Sequence, residues 1–299
     1  MEQVRASVAS IDRKKSTSPP LDRLVARIDG RVFVDGNPNY DEARRIWNAL
    51  PDRHPAAIVA PASITDVAVT VRYARKHGYT VSAKGGGHGI AGGAVRDGGV
   101  TVDFNRWRAV TIEPANRVAR VQPGVTWGEF DSASQEFGLA TPGGKLSSIG
   151  VAGSALSGGI GWLAREQGLA IDNLRSVQMV TGVGRIVRAS ETENADLFWG
   201  ARGAGVLLGL ATEFEFELHP VGTVIAGMTG YLIDAGREVL EIYREFTTSA
   251  PDELTSIAIL THGPDGRKMI GIAVTYSGDL QHGHLALVRL DLLALLLSI

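Results

Sequence analysis

The chain has 299 residues, and its 30 basic and 32 acidic side chains leave a formal net charge of -2. That length suits about two domains, and the near-neutral charge lacks the electrostatic footprint of a nucleic-acid-binding protein. There is no Cys, which excludes disulfides, thiolate metal sites, iron–sulfur clusters and a cysteine nucleophile.

Residues 1–30 read as a flexible polar lead-in, without an apolar leader core or a twin-arginine pair, and therefore as the start of a cytoplasmic protein. A β-α-β unit follows. Ala57 to Val59 is a short apolar run, and Ser63 and Asp66 have the spacing of a capping box. Val67, Val71 and Ala74 keep the helical period up to Gly78, and Tyr79 to Lys84 is the second strand. Val100 to Phe104 and Arg117 to Gln122 are further strands. Thr126 and Glu129 form a second capping-box pair ahead of a helix carrying Trp127, Phe130, Ser134 and Phe137, closed by Gly138. Ser176 to Thr181 and Arg185 to Ala189 flank a hairpin turn. Thr212 to Leu218 alternates, with Phe214, Phe216 and Leu218 on one face and glutamates on the other. Beyond His219-Pro220 the pattern becomes helix (239–246) and strand pair (256–260 and 268–275). The apolar stretch Leu285 to Ile299 is broken by Arg289 and Asp291 and falls short of the roughly 20 residues that span a bilayer.

Glycine is in excess, at 37 residues against a typical ~7%, and 18 of the 37 lie between Gly85 and Gly161. They form two fields: Gly85-Gly86-Gly87-His88-Gly89 after the second strand, and the stretch from Thr141 to Gly161. Glycine admits positive φ and close approach of a ligand, and successive N–H groups in such runs make a nest for anions, phosphates above all. Tight turns without a ligand explain one such field as well as a nest does; two fields favour the nest. The P-loop pattern fails, because Leu146 follows Gly144-Lys145. Gly159-x-Gly161-x-x-Ala164 lacks both a convincing strand before it and an acidic residue about 20 positions on, so a nicotinamide site is not expected. His282-x-His284 has too few companions for a metal site. His88 stands apart: an imidazole among glycines has the chemistry of a base, a hydrogen-bond donor or a nucleophile.

Lys84-Gly85-Gly86-Gly87-His88-Gly89 with Gly92-Gly93, Thr141-Pro142-Gly143-Gly144, Gly150-Val151-Ala152-Gly153 and Ser157-Gly158-Gly159-Ile160-Gly161-Trp162 together resemble the vanillyl-alcohol-oxidase (PCMH) type of FAD-linked oxidases. Within that superfamily the chain is similar to the bacterial berberine-bridge-enzyme-like branch. Ile171-Asp172-Asn173-Leu174, Asp196-Leu197-Phe198-Trp199 and Thr212-Glu213-Phe214 continue the match. The resemblance implies an α+β fold: a two-subdomain FAD-binding domain over 31–220 (31–105 and 106–220), then an incomplete α+β substrate domain, antiparallel sheet with helices, over 221–299.

It further implies that Gly85, Gly86, Gly87, His88 and Gly89 face the FAD pyrophosphate and that His88 bonds covalently to the flavin 8α carbon. Thr141, Pro142, Gly143, Gly144, Gly150, Gly153, Ser154, Gly159, Gly161 and Thr212 would line the cofactor from the second subdomain. Without Cys, the second covalent link of many relatives is impossible. The implied activity is hydride transfer from a C–H bond next to O or N of a small molecule to flavin N5, with dioxygen as acceptor and no nucleic acid, membrane or metal involved. Two departures stand out. The family's glycine run with Asn-Phe reads Gly205-Val206-Leu207 here, which is expected to be costly if position 206 needs positive φ. The family's later Tyr-x-Asn-Tyr segment is not in this chain, so it reads as C-terminally truncated, no substrate base is named, and an inactive FAD-binding fragment is the alternative. A non-covalent lactone oxidase or nucleotide-sugar reductase is a third possibility, disfavoured by His88.

Overall fold

The computed structural model describes residues 21–284. Three parallel strands, each buried where it crosses the core, dictate the first layer, because a parallel sheet needs cover on both faces. The helical turn α1 (Asp22–Val25) leads into β1 (Arg31–Phe33), α2 (Tyr40–Arg44), β2 (Ala57–Ala60), α3 (Ile64–His77), β3 (Val81–Lys84) and β4 (Val100–Asp103). The sheet order is β1-β2-β4-β3, with β1 antiparallel to its neighbour. α3 is the crossover and buries Val67, Val71 and Ala74. It ends at Gly78 in the left-handed region, φ 74°, as its sequence predicts.

Two local expectations change. The lead-in is structured from residue 21: Leu24 is buried with Val59, Tyr73 and Val100. Residues 1–20 and the apolar stretch 285–299 lie outside the described residues. The first capping box is only half formed. Ser63 Oγ accepts from Asp66 N–H, but the Asp66 carboxylate takes the N–H groups of Asp29, Gly30 and Ala62 instead of turning back to Ser63. Three donors from the incoming chain outcompete one.

The second sheet is wholly antiparallel. Its elements are β5 (Val110–Glu113), β6 (Val118–Val121), α4 (Trp127–Gln135), β7 (Leu139–Ala140), α5 (Val151–Ala155), α6 (Ala164–Gln167), β8 (Leu174–Thr181), β9 (Ile186–Ser190), α7 (Ala195–Ala204), β10 (Gly209–Glu217) and β11 (His219–Pro220). The order is β5-β6-β10-β8-β9, with β7 and β11 forming a small pair apart. The alternation over 212–218 is realised: Phe214, Phe216 and Leu218 are buried. Phe216 meets Trp127 edge-on and tilts against Phe130. Burying each of these side chains contributes about 1.5–3 kcal/mol, so α4 is fixed to the sheet by its first turn. α4 stops before the predicted end, and Phe137 stands exposed beyond it. Its capping box is complete, Glu129 accepting from Thr126 N–H at 2.8 Å.

A third sheet, ordered β12-β14-β13, follows with β12 (Ile225–Leu232), α8 (Gly236–Thr248), β13 (Leu254–His262) and β14 (Lys268–Tyr276). Val239 and Phe246 of α8 cover one face through Tyr231, Leu254, Ile270 and Ile272. Among the described residues no helix is long and apolar enough to cross a membrane.

Candidate cofactor site

β3 and β4 end together at a buried ion pair, Lys84 Nζ to Asp103 Oδ2 at 2.9 Å. Lys84 also donates to the carbonyl of Ala43. This anchors the point from which the first glycine field departs. The backbone of Gly86 lies directly on that of Gly150: a Cβ on Gly86 would stand 2.6 Å from Gly150 N, and one on Gly150 would stand 2.5 Å from Gly86 N. A Cβ on Gly85 would likewise stand 2.5 Å from the carbonyl oxygen of Pro123. Gly87 has φ +65°. The two glycine fields therefore meet, and only a residue without Cβ allows it.

The second field is seated on Trp127, which is fully buried. Cβ atoms on Gly143 and Gly144 would come within 2.4 and 2.7 Å of its indole, and one on Gly161 would be 2.0 Å from the Gly143 carbonyl. Trp127 Nε1 donates to Ser154 Oγ at 2.9 Å, and its N–H donates to Ile149 O at 2.9 Å. Gly159 has φ +79° and packs on Ala170. Pro142 and Thr141 are buried. One indole thus organises residues 141–161 from below.

His88 is half-buried and stacked on Trp47, with ring centroids 4.5 Å apart and planes 17° from parallel. Its Nε2 is 3.1 Å from Ser148 Oγ. Thr212 lies elsewhere in its bonding, its hydroxyl donating to Gln178 O and Oε1 across the β10–β8 ladder. Val206 sits in a 3-10 turn without positive φ, and the left-handed backbone of that run falls on Gly203, at φ +125°. The expected strain at position 206 is absent; Val206 and Leu207 simply point outward, both exposed. His282 pairs with Asp279 at 3.2 Å, and among the described residues no group of three ligands could hold a metal ion. Trp47, Ser148 and the Lys84–Asp103 pair carried no periodic signal in the sequence.

Three observations fit a bound pyrophosphate-containing cofactor. Among the described residues no protein acceptor takes the N–H groups of Gly86, Gly87, His88 and Gly89, the arrangement of an anion nest. Gly89 and Gly153 face open space. The buried Thr141 Oγ1 has no hydrogen-bond partner in the protein, an arrangement that costs free energy unless a ligand supplies one.

The comparisons with known proteins agree. The model of the FAD binding domain matches residues 55–190. (R)-6-hydroxynicotine oxidase of Paenarthrobacter nicotinovorans is 33% identical over 228 residues, 72% of this chain and 50% of that protein. The crystal structure of 6-hydroxy-D-nicotine oxidase from Arthrobacter nicotinovorans superposes with TM-score 0.84 at 29% identity, over 88% of this chain and 59% of that one. The chain belongs to the vanillyl-alcohol-oxidase-type FAD-linked oxidases. A berberine-bridge-enzyme-like protein of Physcomitrella patens aligns with TM-score 0.83 at 26% identity, over 91% of this chain and 59% of its own. Chitooligosaccharide oxidase of Gibberella zeae is 35% identical over 187 residues, 62% of this chain and 38% of the enzyme. The chain spans about half the length of the curated relatives it matches.

Proposed function

We propose that this member of the FAD-linked oxidases is an FAD-dependent oxidoreductase that takes hydride from a C–H bond next to O or N of a small molecule, with dioxygen as acceptor. The observation that carries this is the seam at Gly86 and Gly150, which sets a row of unclaimed N–H groups and one imidazole beside a second glycine loop. FAD, when bound, supplies the hydride-accepting nitrogen and the reaction with dioxygen. Gly85, Gly86, Gly87 and Gly89 would hold its pyrophosphate, and Thr141 and the backbone over 142–144, 150–154, 159 and 161 would line it from the Trp127 side. The unit over 31–220 would be the FAD-binding domain, and the sheet from residue 221 onward the beginning of a substrate-covering one. His88 is the residue we assign to the covalent link. Relatives named for a hydroxynicotine and a chitooligosaccharide offer C–H bonds beside nitrogen and beside oxygen.

The protein produced with ample riboflavin and run on a denaturing gel is expected to show a fluorescent flavin band, and His88→Ala to show none. A dark parent band, or a fluorescent His88→Ala band, refutes the link. Hydrogen peroxide release with alcohols, sugars or amines tests turnover. A yellow protein that none of them bleaches is an FAD-binding fragment without activity.

A further inference from the structure

The third sheet ends on one side at β13, which among the described residues pairs with β14 alone. Two bonds fix which of its backbone groups that pairing uses. At the hairpin, Gly263 N–H donates to Arg267 O at 2.8 Å, and at the other end Ser277 N–H donates to Glu253 O at 3.1 Å. Antiparallel ladders bond at every second residue, so the odd-numbered residues from 253 to 263 face β14. The N–H and C=O groups of Ser256, Ala258, Leu260 and His262 point the other way, and among the described residues nothing takes them. This edge lacks the devices that keep sheet edges apart, a charge, a proline or a bulge. Leu254 to Thr261 carries no charged side chain, and its register is unbroken. Apolar groups stand exposed on both of its faces, Ile259 on the open face and Leu260, 73% exposed, on the face of α8. The opposite edge, β12, is interrupted by Gly227 and Gly230, which weaken a strand.

We propose that β13 is a dimerisation edge whose partner is β13 of a second copy of this chain, the two joined antiparallel about a two-fold axis. Only one register of this strand against itself uses all four outward residues. It sets Ser256 opposite His262 and Ala258 opposite Leu260, each pair occurring twice. Each copy then gives four N–H and four C=O groups, close in total to the roughly ten direct hydrogen bonds of a typical interface. Ile259 falls on the axis and meets its own copy in a non-hydrogen-bonded pair, where Cα atoms approach to about 4.5 Å. The exposed Leu260 lies over the small Ala258 of the second copy, and Ile257 beside its Thr261. Charge fits the antiparallel sense. The hairpin end carries Arg267 and Lys268 against Asp265, and the starting end carries Asp252 and Glu253 against Arg165 of α6. Antiparallel pairing therefore brings a basic end to an acidic one, whereas a parallel pair would set like against like. α6 touches β13 near its beginning, which is where the ladder stops at Ser256.

Sedimentation velocity of the 299-residue chain tests this. The parent is expected at twice its 31.7 kDa mass. Ile259→Lys, which sets two ammonium groups face to face on the axis, is expected at the monomer mass with the parent's far-ultraviolet spectrum. Amide exchange at Ala258 and Leu260 is expected to be slow in the parent and roughly tenfold faster in that variant. Because the chain has no Cys, single cysteines report the register. Ile259→Cys is expected to form a disulfide-linked dimer on oxidation, since disulfides bridge Cα atoms about 4.4–6.8 Å apart. Thr261→Cys, offset by four residues from its own copy and so about 14 Å from it, is expected to form none. A dimer that Ile259→Lys leaves intact, or equal cross-linking of the two cysteines, overturns the proposal. If Ile259→Lys loses the parent's spectrum, the cysteine pair decides alone. A monomeric parent also overturns it: slow exchange at Ala258 and Leu260 then assigns the edge to the chain's own residues 285–299, and fast exchange leaves it without an occupant.

Discussion

Thr141 carries a hydroxyl that is buried and unpaired in the protein alone, and a buried donor left without a partner costs about 1–3 kcal/mol. Valine has nearly the same shape without that group. Thr141→Val is therefore expected to raise the thermal midpoint of the apoprotein and to reduce the further rise produced by saturating FAD. A thermal melt with and without FAD reads both. An FAD shift equal to the parent's would remove Thr141 from the cofactor site. The glycine fields were legible in the sequence because composition alone betrays them: only a residue without Cβ can sit where Gly86 crosses Gly150, since a Cβ there would stand 2.6 Å from Gly150 N. Trp47 and Ser148 were not legible, since each lies in an irregular segment and finds His88 only through the fold.

At the scale of elements, the Lys84–Asp103 pair ties the ends of β3 and β4 with both side chains more than nine-tenths buried. Breaking such a pair from one side leaves an uncompensated charge and costs about 3–5 kcal/mol. Lys84→Met should lower the urea midpoint accordingly, and Lys84→Met with Asp103→Leu should recover most of the loss. A single variant as stable as the parent would show the pair to be idle. Helices and strands with strong local signals, α3, α4 and β10, were readable from caps and periodicity. β1 and β5 were not, being short edge strands whose pairing is set by distant partners. The half-used capping box at Ser63 shows the same limit, because Asp66 answers to Asp29 and Gly30, which no local pattern announces.

For the whole molecule, acid sensitivity follows from His219, where β11 meets the turn before β8. Asn173 Nδ2 donates to the carbonyls of Gln167 and Leu169, so its Oδ1 is left to accept from His219 Nε2–H. Burial holds the imidazole below its usual value of 6.5. The unfolded chain therefore takes up this proton first as the pH falls, and stability present above about pH 6.5 is lost from there down through the folded-state value. The urea midpoint of the parent is expected to fall between pH 7 and pH 5 more steeply than that of His219→Gln, which keeps a donor for Asn173 but cannot titrate. Parallel profiles would exclude His219. The family resemblance and the α+β class were legible from ordered motifs across the first two sheets; the third sheet offered only its bare helix-and-strand pattern.

The Gly86–Gly150 seam also governs how such proteins can be recombined. A chimera taking its first sheet from one parent and its second from another brings two main chains together at that crossing. It closes only if each parent contributes glycine there, so the seam acts as a compatibility lock between interchangeable halves.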